Sequence, residues 1–425
     1  MRYIAAAFCL SLGTVALASA QSTTGSTTRP RSGFSPSRLA RIDSLLQRAV
    51  DENQIGGAVA LVLRDGQTAY ARAVGWADKE AGRRMRIDDI FRIASQTKAL
   101  TSVAVMMLVE EGRLRLGDPL SRYISTFAGS KVATKSDTGL AIVAARRAIT
   151  IKDLLTHTAG ISYGTDAHVA ALYAAKGLGP EAGYGWYTAD KNEPICETME
   201  RLGTLPSVAQ PGEAWVYGYG IDILGCVVER VSGLPLDEFF RRRITGPLQM
   251  KDTHLFLPVS KRDRLTVVYA SDSLRRVVRA PDGAKGQGHY VDGPRRSFAG
   301  GAGLLSTARD YSRFLQMLLN GGELDGVRLL APRTVRLMTT NLVDTLFSAT
   351  GLGFGLGFFT VDRFGADEMS TLGTYGWGGA YASDYKVDPV ERLVMVFMMQ
   401  MLPDRSAVGG RFSTLVYQAL IDSHQ

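Results

Sequence analysis

Four short stretches carry residue types able to do nucleophilic chemistry. The first is Ser95-Gln96-Thr97-Lys98, which leads into a strongly helical run from Ala99 to Glu111. Residues three apart on a helix lie on one face, one turn above the other, so Ser95 and Lys98 can touch. A serine hydroxyl is a poor nucleophile until a neighbouring base takes its proton. A lysine can be that base where burial or a nearby positive charge favours its neutral form. Leu100, Val103, Val105, Met106, Met107 and Leu108 supply apolar surface that would bury this helix. The Ser95 N–H would also sit where the helix dipole favours negative charge. The pattern alone is weak, because an N-cap serine followed by a solvent-facing lysine satisfies it equally well.

Gly160-Ile161-Ser162-Tyr163-Gly164 matches G-x-S-x-G, a nucleophile elbow that needs a strand before the serine and a helix after it. The preceding Lys152–His157 looks helical, and no flanking pattern singles out a partner among His168, His254 and His289. A glycine-rich turn is the better reading of Ser162. Pro211-Gly-Glu-Ala-Trp215-Val-Tyr217-Gly-Tyr219 places aromatics in a turn before an apolar helix. A tyrosine hydroxyl beside an ammonium can act as a base; aromatic packing at a helix entry is the plainer alternative. Tyr375-Gly-Trp377-Gly378-Gly379-Ala380 opens a strand, and its glycines allow close approach to the backbone or mark a bulge. An N–H from this strand, with that of Ser95, could form an oxyanion hole worth about 3 kcal/mol per donor.

The elements that must hold these groups follow from periodicity. Val59–Leu63 and Thr68–Val74 read as strands joined by Asp65-Gly66, and Tyr381–Val387 and Leu393–Gln400 as strands joined by Asp388-Pro389. Leu352–Val361 reads as a further strand. Between them, Ile151–His157, Leu224–Val231, Pro235–Arg243 and Thr307–Leu319 read as helices. The expected fold is α+β: an antiparallel sheet flanked by helices, built from both chain ends (36–115 and 300–425), with a mainly helical inserted domain over 116–299.

Residues 1–20 have one charge, Arg2, then an apolar run and Ala18-Ser19-Ala20, the pattern of a cleaved secretory signal peptide. Residues 21–35, rich in Ser, Thr and Gly, read as a flexible leader. The chain is 45% hydrophobic and 21% charged over 425 residues, which excludes a disordered tail, a fibre and a polytopic membrane protein. A net charge of +8 without a Lys/Arg stripe argues against a nucleic-acid partner. The five histidines form no HExxH and no close pair, so no metal is implied. Cys196 and Cys226 could pair after export or remain buried thiols.

Together these stretches resemble the serine β-lactamase and penicillin-binding-protein superfamily, and most closely its family VIII carboxylesterase branch. The likeness runs from about Ser37 to Tyr417. It is carried by Phe91-Arg-Ile-Ala-Ser95-Gln-Thr-Lys98, Leu154-Leu-Thr-His-Thr-Ala-Gly160, Pro211-Gly-Glu-Ala-Trp-Val-Tyr217, Gly300-Gly-Ala-Gly-Leu-Leu-Ser-Thr307 and Trp377-Gly-Gly. The resemblance implies Ser95 as the acylated nucleophile, Lys98 and Tyr217 as the base pair, and the N–H groups of Ser95 and Ala380 as the oxyanion hole. It implies no cofactor, a small-molecule ester as substrate, and a bacterial periplasmic or secreted enzyme without membrane insertion once the signal is cleaved. Oligomeric state is not legible.

Three departures bear on the substrate. Tyr219 stands where class C β-lactamases have Asn, Trp377 where they have a Lys, and Gly218 where the esterase branch commonly has Ser. Loss of the third-motif lysine removes the partner of a substrate carboxylate, and so favours uncharged esters over β-lactams or D-amino-acid peptides. Trp377, Gly378, Gly379 and Tyr219 are then the expected substrate contacts. Gly218 leaves open whether Tyr217 or Tyr219 is the catalytic tyrosine. A non-catalytic penicillin-binding-like sensor is the remaining alternative, disfavoured because Ser95, Lys98 and Tyr217 are all retained.

Overall fold

The apolar run Val59–Leu63 becomes a strand buried along its whole length, β1 (Gly57–Arg64). Side chains alternate between the faces of a strand, so one that is apolar at both parities must be covered on both sides. Val59, Leu61 and Leu63 enter one core, and Ala58, Ala60 and Val62 another. The computed structural model describes residues 33–424 apart from 137, 138, 184 and 186.

From β1 the chain turns through Asp65-Gly66, both at positive φ, into β2 (Gln67–Asp78) and then β3 (Arg83–Arg84). Five strands come from the other end of the chain: β4 (Leu352–Phe354), β5 (Phe359–Val361), β6 (Tyr375–Gly379), β7 (Ser383–Asp388) and β8 (Leu393–Met399). The sheet order is β4-β5-β6-β7-β8-β1-β2-β3, with antiparallel neighbours throughout. The chain ends meet where Ala58 faces Met399 and Arg64 faces Leu393. The expected α+β architecture, an antiparallel sheet with flanking helices, is the one found.

Two strand expectations need correction. Leu352–Val361 is two short strands rather than one, because the Gly355 N–H bonds the Phe358 carbonyl at 2.8 Å and folds the chain back. The strand expected from Tyr381 starts at Ser383, because Ala380–Ala382 form the β6–β7 turn, with Ala382 at a φ of 62°.

Helices α1 (Pro36–Asp51) and α6 (Val408–Ala419) cover one face, packing Ile42, Leu46, Phe412 and Val416 against Ala60, Val62 and Phe397. On the other face lie α2 (Thr97–Glu110) and α5 (Ala308–Leu319). Every residue of α2 from Thr97 to Leu108 is buried, because the inserted helices close over its far side. These include α3 (Ile151–Leu155) and α4 (Gly220–Ser232), whose Ile221, Leu224 and Val228 share a core with Leu100, Val103 and Val59. The insert also carries two hairpins, Lys131–Ser136 with Gly139–Ala144 and Tyr269–Ser271 with Val277–Arg279. Cys196 is disulfide-bonded to Cys226 of α4.

The expected signal peptide lies outside the described residues. Within the expected flexible leader the Phe34 ring is wholly buried and its backbone bridges Leu420. Among the described residues no helix is long and apolar enough to cross a membrane.

Arg64, 4% exposed, holds the ends of the chain together. Its guanidinium donates to Glu391 at 3.1 Å, to the Asp422 carboxylate at 2.5 Å and to the Gly33 carbonyl at 3.2 Å. Removing one partner of a buried ion pair strands the other. Arg64→Ala is therefore expected to lower the urea-unfolding free energy by about 3–5 kcal/mol. A loss below about 1 kcal/mol would mean that apolar packing alone closes the ends.

Candidate active site

A short strand, Phe91–Arg92, pairs with Leu305–Ser306, and the chain then turns abruptly into α2. Ala94 makes the turn at a φ of 43°, a left-handed conformation that costs a residue with a Cβ about 1 kcal/mol or more. The result is a half-buried Ser95 at the mouth of α2, in a segment whose neighbours are buried.

Lys98 lies one turn further on and is 2% exposed. Its Nζ is 3.1 Å from Ser95 Oγ, 3.0 Å from the Tyr163 hydroxyl and 2.7 Å from the Gly301 carbonyl. An ammonium has three donors, and these three acceptors use them all. A neutral amine keeps two N–H groups for Tyr163 and Gly301 and turns its lone pair toward the Ser95 O–H. The same geometry therefore serves both protonation states, as a proton acceptor requires. No carboxylate of the described residues lies within ion-pair distance of Lys98.

Tyr217 stands over this pair, with Lys98 Nζ 4.7 Å from its ring centre. Its hydroxyl oxygen accepts the Trp377 indole N–H at 3.1 Å. Gly218 explains one departure noted in the sequence. A Cβ there would lie 2.2 Å from the Ile161 carbonyl, so serine does not fit. That close approach sets Tyr163 edge-on to Tyr217, with ring centres 5.6 Å apart. Burial pushes the Tyr163 phenol well above its usual range and so keeps it a neutral hydroxyl. His157 packs against Tyr217 at 4.9 Å, and burial, then the charge of Lys98, hold its imidazole well below the usual range and hence neutral.

Strand β6 runs past the Ser95 turn. A Cβ on Gly379 would lie 2.6 Å from the Ile93 carbonyl and 2.4 Å from Ser383 Oγ, so only glycine allows the approach. Ala380 follows and packs in one cluster with Ala94. Trp377 faces Phe354 at 5.4 Å and Trp215 at 6.2 Å, forming an aromatic wall beside Tyr217. Contacts thus link Ser95, Lys98, Tyr217, Trp377, Gly379 and Ala380 into one constellation, with Gly378 between Trp377 and Gly379 on β6 and Ala380 in the turn that follows.

Tyr219 is not part of it. Its side chain is fully buried, and its hydroxyl accepts the Gly179 N–H at 3.1 Å and donates to the Gly185 carbonyl. The expected substrate contact at Tyr219 is corrected accordingly: the hydroxyl is committed to backbone and ties Gly179 to Gly185. Ser162 is 2% exposed and accepts the Gly164 N–H at 3.0 Å. No strand precedes it, so the elbow geometry is absent. Tyr163, the direct partner of Lys98, is the residue sequence reasoning missed. Its contact spans 65 positions, and no local spacing signals it. Among the described residues, no group of three or more His, Cys, Asp or Glu could hold a metal ion.

A Beta-lactamase family model matches residues 42–417. Protein Rv1367c of Mycobacterium tuberculosis is 36% identical over 387 residues, covering 85% of this chain and 90% of that protein. Esterase EstB of Burkholderia gladioli is 33% identical over 368 residues, covering 83% and 88%. Among solved structures, EstCE1, described as a hydrolase with promiscuous acyltransferase activity, superposes with a TM-score of 0.74 at 27% identity, covering 90% of this chain and 98% of that one.

The geometry makes a prediction that needs no substrate. A fluorophosphonate should phosphonylate the wild type and Ser162→Ala at Ser95. Lys98→Ala should label at least 100-fold more slowly, in line with losing a positioned base. A labelled peptide containing Ser162 would overturn the assignment.

Proposed function

Because the chain belongs to the Beta-lactamase family, we propose that it works as a serine esterase, cleaving uncharged carboxylic esters of short to medium acyl length through an acyl-Ser95 intermediate. The observation that carries this reading is the 3.1 Å contact between Ser95 Oγ and the buried Lys98 Nζ, beside an indole where a carboxylate-binding lysine would stand. The likeness to proteins named as an esterase and a hydrolase supports it.

In acylation, neutral Lys98 takes the Ser95 proton as Oγ attacks the ester carbonyl. The tetrahedral oxyanion is received by the N–H groups of Ser95 and Ala380. The C–O bond to the alcohol breaks, and the proton passes from Lys98, with Tyr217 as relay, to the leaving alkoxide. A water activated by Tyr217 and Lys98 then releases the acid and restores the Ser95 hydroxyl. Tyr163 keeps Nζ oriented throughout, since its neutral hydroxyl can accept from the amine in either protonation state. The Trp377 N–H stabilises negative charge on the Tyr217 oxygen, a task a cation would do more strongly while also holding a substrate carboxylate. The signal-like residues 1–20 and the Cys196–Cys226 bond suit an enzyme exported to an oxidising compartment.

Hydrolysis of p-nitrophenyl butyrate tests this reading. Wild type and Ser162→Ala are expected to turn over, and Ser95→Ala to lose at least 1,000-fold in kcat, as removal of a covalent nucleophile does. Nitrocefin should be cleaved far more slowly than the ester; a reversed preference would transfer the assignment to β-lactam amides. Trp377→Phe keeps the wall and removes the N–H, so kcat should fall about 5- to 10-fold, equivalent to one hydrogen bond, with KM within about two-fold. An unchanged kcat would reduce the indole to a packing role.

A further inference from the structure

One buried carboxylate beside the site has no part in the mechanism above. Asp222 lies in the first turn of α4 and is wholly buried. Its Oδ1 accepts the Gly301 N–H at 2.9 Å, while Oδ2 makes no hydrogen bond to another of the described residues. A buried carboxylate left this short of partners is costly and calls for a compensating charge.

The compensating charge stands on the other side of the same glycine. The Gly301 carbonyl accepts Lys98 Nζ at 2.7 Å, the shortest of the three contacts that fix the amine. One residue earlier, the Gly300 carbonyl accepts Thr101 Oγ1, also at 2.7 Å, from the turn of α2 after Lys98. Gly300-Gly301 is thus stitched between α2 and α4, with the Gly301 N–H bonded to the carboxylate and its carbonyl to the Lys98 amine. The titratable groups facing Asp222 are Lys98 from α2, Tyr163 from the loop after α3 and Tyr219 at the entry of α4. Burial keeps both phenols neutral, so among the described residues Lys98 is the charge that Asp222 faces. Burial pushes Asp222 up to about 6, and the positive charge of Lys98 opposes that rise.

We propose that Asp222 is a positioning residue for the Ser95–Lys98 pair: through Gly301 it fixes the carbonyl that holds Nζ, and its carboxylate is the countercharge Lys98 has instead of a direct ion pair. The inference rests on the reading of Ser95 and Lys98 as nucleophile and base. Its sign follows directly. A nearby negative charge favours the protonated form of a lysine over the neutral amine that the proposed mechanism uses. Removing the charge should therefore move the acidic limb of Ser95 reactivity to lower pH.

The test is the pH dependence of Ser95 phosphonylation by a fluorophosphonate, measured beside p-nitrophenyl butyrate turnover. Asp222→Asn keeps an acceptor for the Gly301 N–H and removes the charge. Its acidic limb should fall by about one pH unit, with a plateau rate within about three-fold of wild type. Asp222→Ala also loses the acceptor, and its plateau should drop at least ten-fold with KM for the ester within two-fold. A folded Asp222→Asn whose profile superimposes on wild type would overturn the proposal. If that variant does not fold, Thr101→Val carries the test, because it loosens the same segment without touching the charge. It should slow phosphonylation several-fold with the limb unmoved; a wild-type rate, or a limb shifted by a full unit, would overturn the stitching. Labelling reports the Ser95–Lys98 pair whatever the natural substrate. Intact labelling without ester turnover would therefore count against the esterase reading, and an unmoved Asp222→Asn labelling profile against this inference.

Discussion

The structure around the site depends on burying the Lys98 amine without giving it a carboxylate at contact distance. A direct ion pair would hold the proton on the amine and, on the proposed reading, stop it serving as a base, while a buried amine with no acceptors would be costly. The chain meets both constraints with three neutral oxygens, those of Ser95, Tyr163 and Gly301. Each comes from a different part of the sequence. The insertion between the two halves of the sheet therefore does more than cover α2: it brings Tyr163 and α4 to a lysine that local sequence alone would leave in solvent.

That requirement reaches into the sheet. Helix α2 can be buried on all sides only if β1 and β8 supply a complete apolar face beneath it, with Val59, Leu61, Val396 and Met398 pointing toward it and the opposite parity filled by α1 and α6. Because β1 and β8 come from opposite ends of the chain, closing the sheet is also what sets β6 beside the Ser95 turn. A one-residue slip of register would turn Val59 and Val396 away from α2. The Gly379 approach to Ile93 would be lost with it.

What could be read from the sequence divides by range. Ser95 and Lys98 share a turn, the β1–β2 hairpin is announced by Asp65-Gly66, and the sheet follows from apolar runs at both ends; all are local signals. Leu352–Val361 was legible as extended but not as folded back, since its glycines fit a flat strand and a tight turn equally. Tyr217 and Tyr219 are two apart in a glycine-rich turn, where no helical or strand period says which side chain faces inward. Tyr219 goes to backbone only because Gly179 and Gly185 come within reach of its hydroxyl. Tyr163 and Asp222 were illegible for a stricter reason: each matters through a contact made across more than 60 residues, and one sequence carries no record of such pairs.

Trp377 stands where the resemblance to β-lactamases leads one to expect a lysine, and the exchange has a physical consequence on the proposed reading. Replacing a cation by an indole removes a full charge from beside Tyr217 but keeps a donor, now 3.1 Å from the phenol oxygen. A point charge would act on the tyrosine, on the lysine and on any anionic substrate alike, whereas an N–H acts over one hydrogen bond. On the proposed esterase reading the two tasks would separate: assistance to the tyrosine would persist in weakened form, and attraction for a substrate carboxylate would be absent. The Asp222 carboxylate reaches this region only through Gly301, which it holds by the N–H while the carbonyl of the same residue holds the amine.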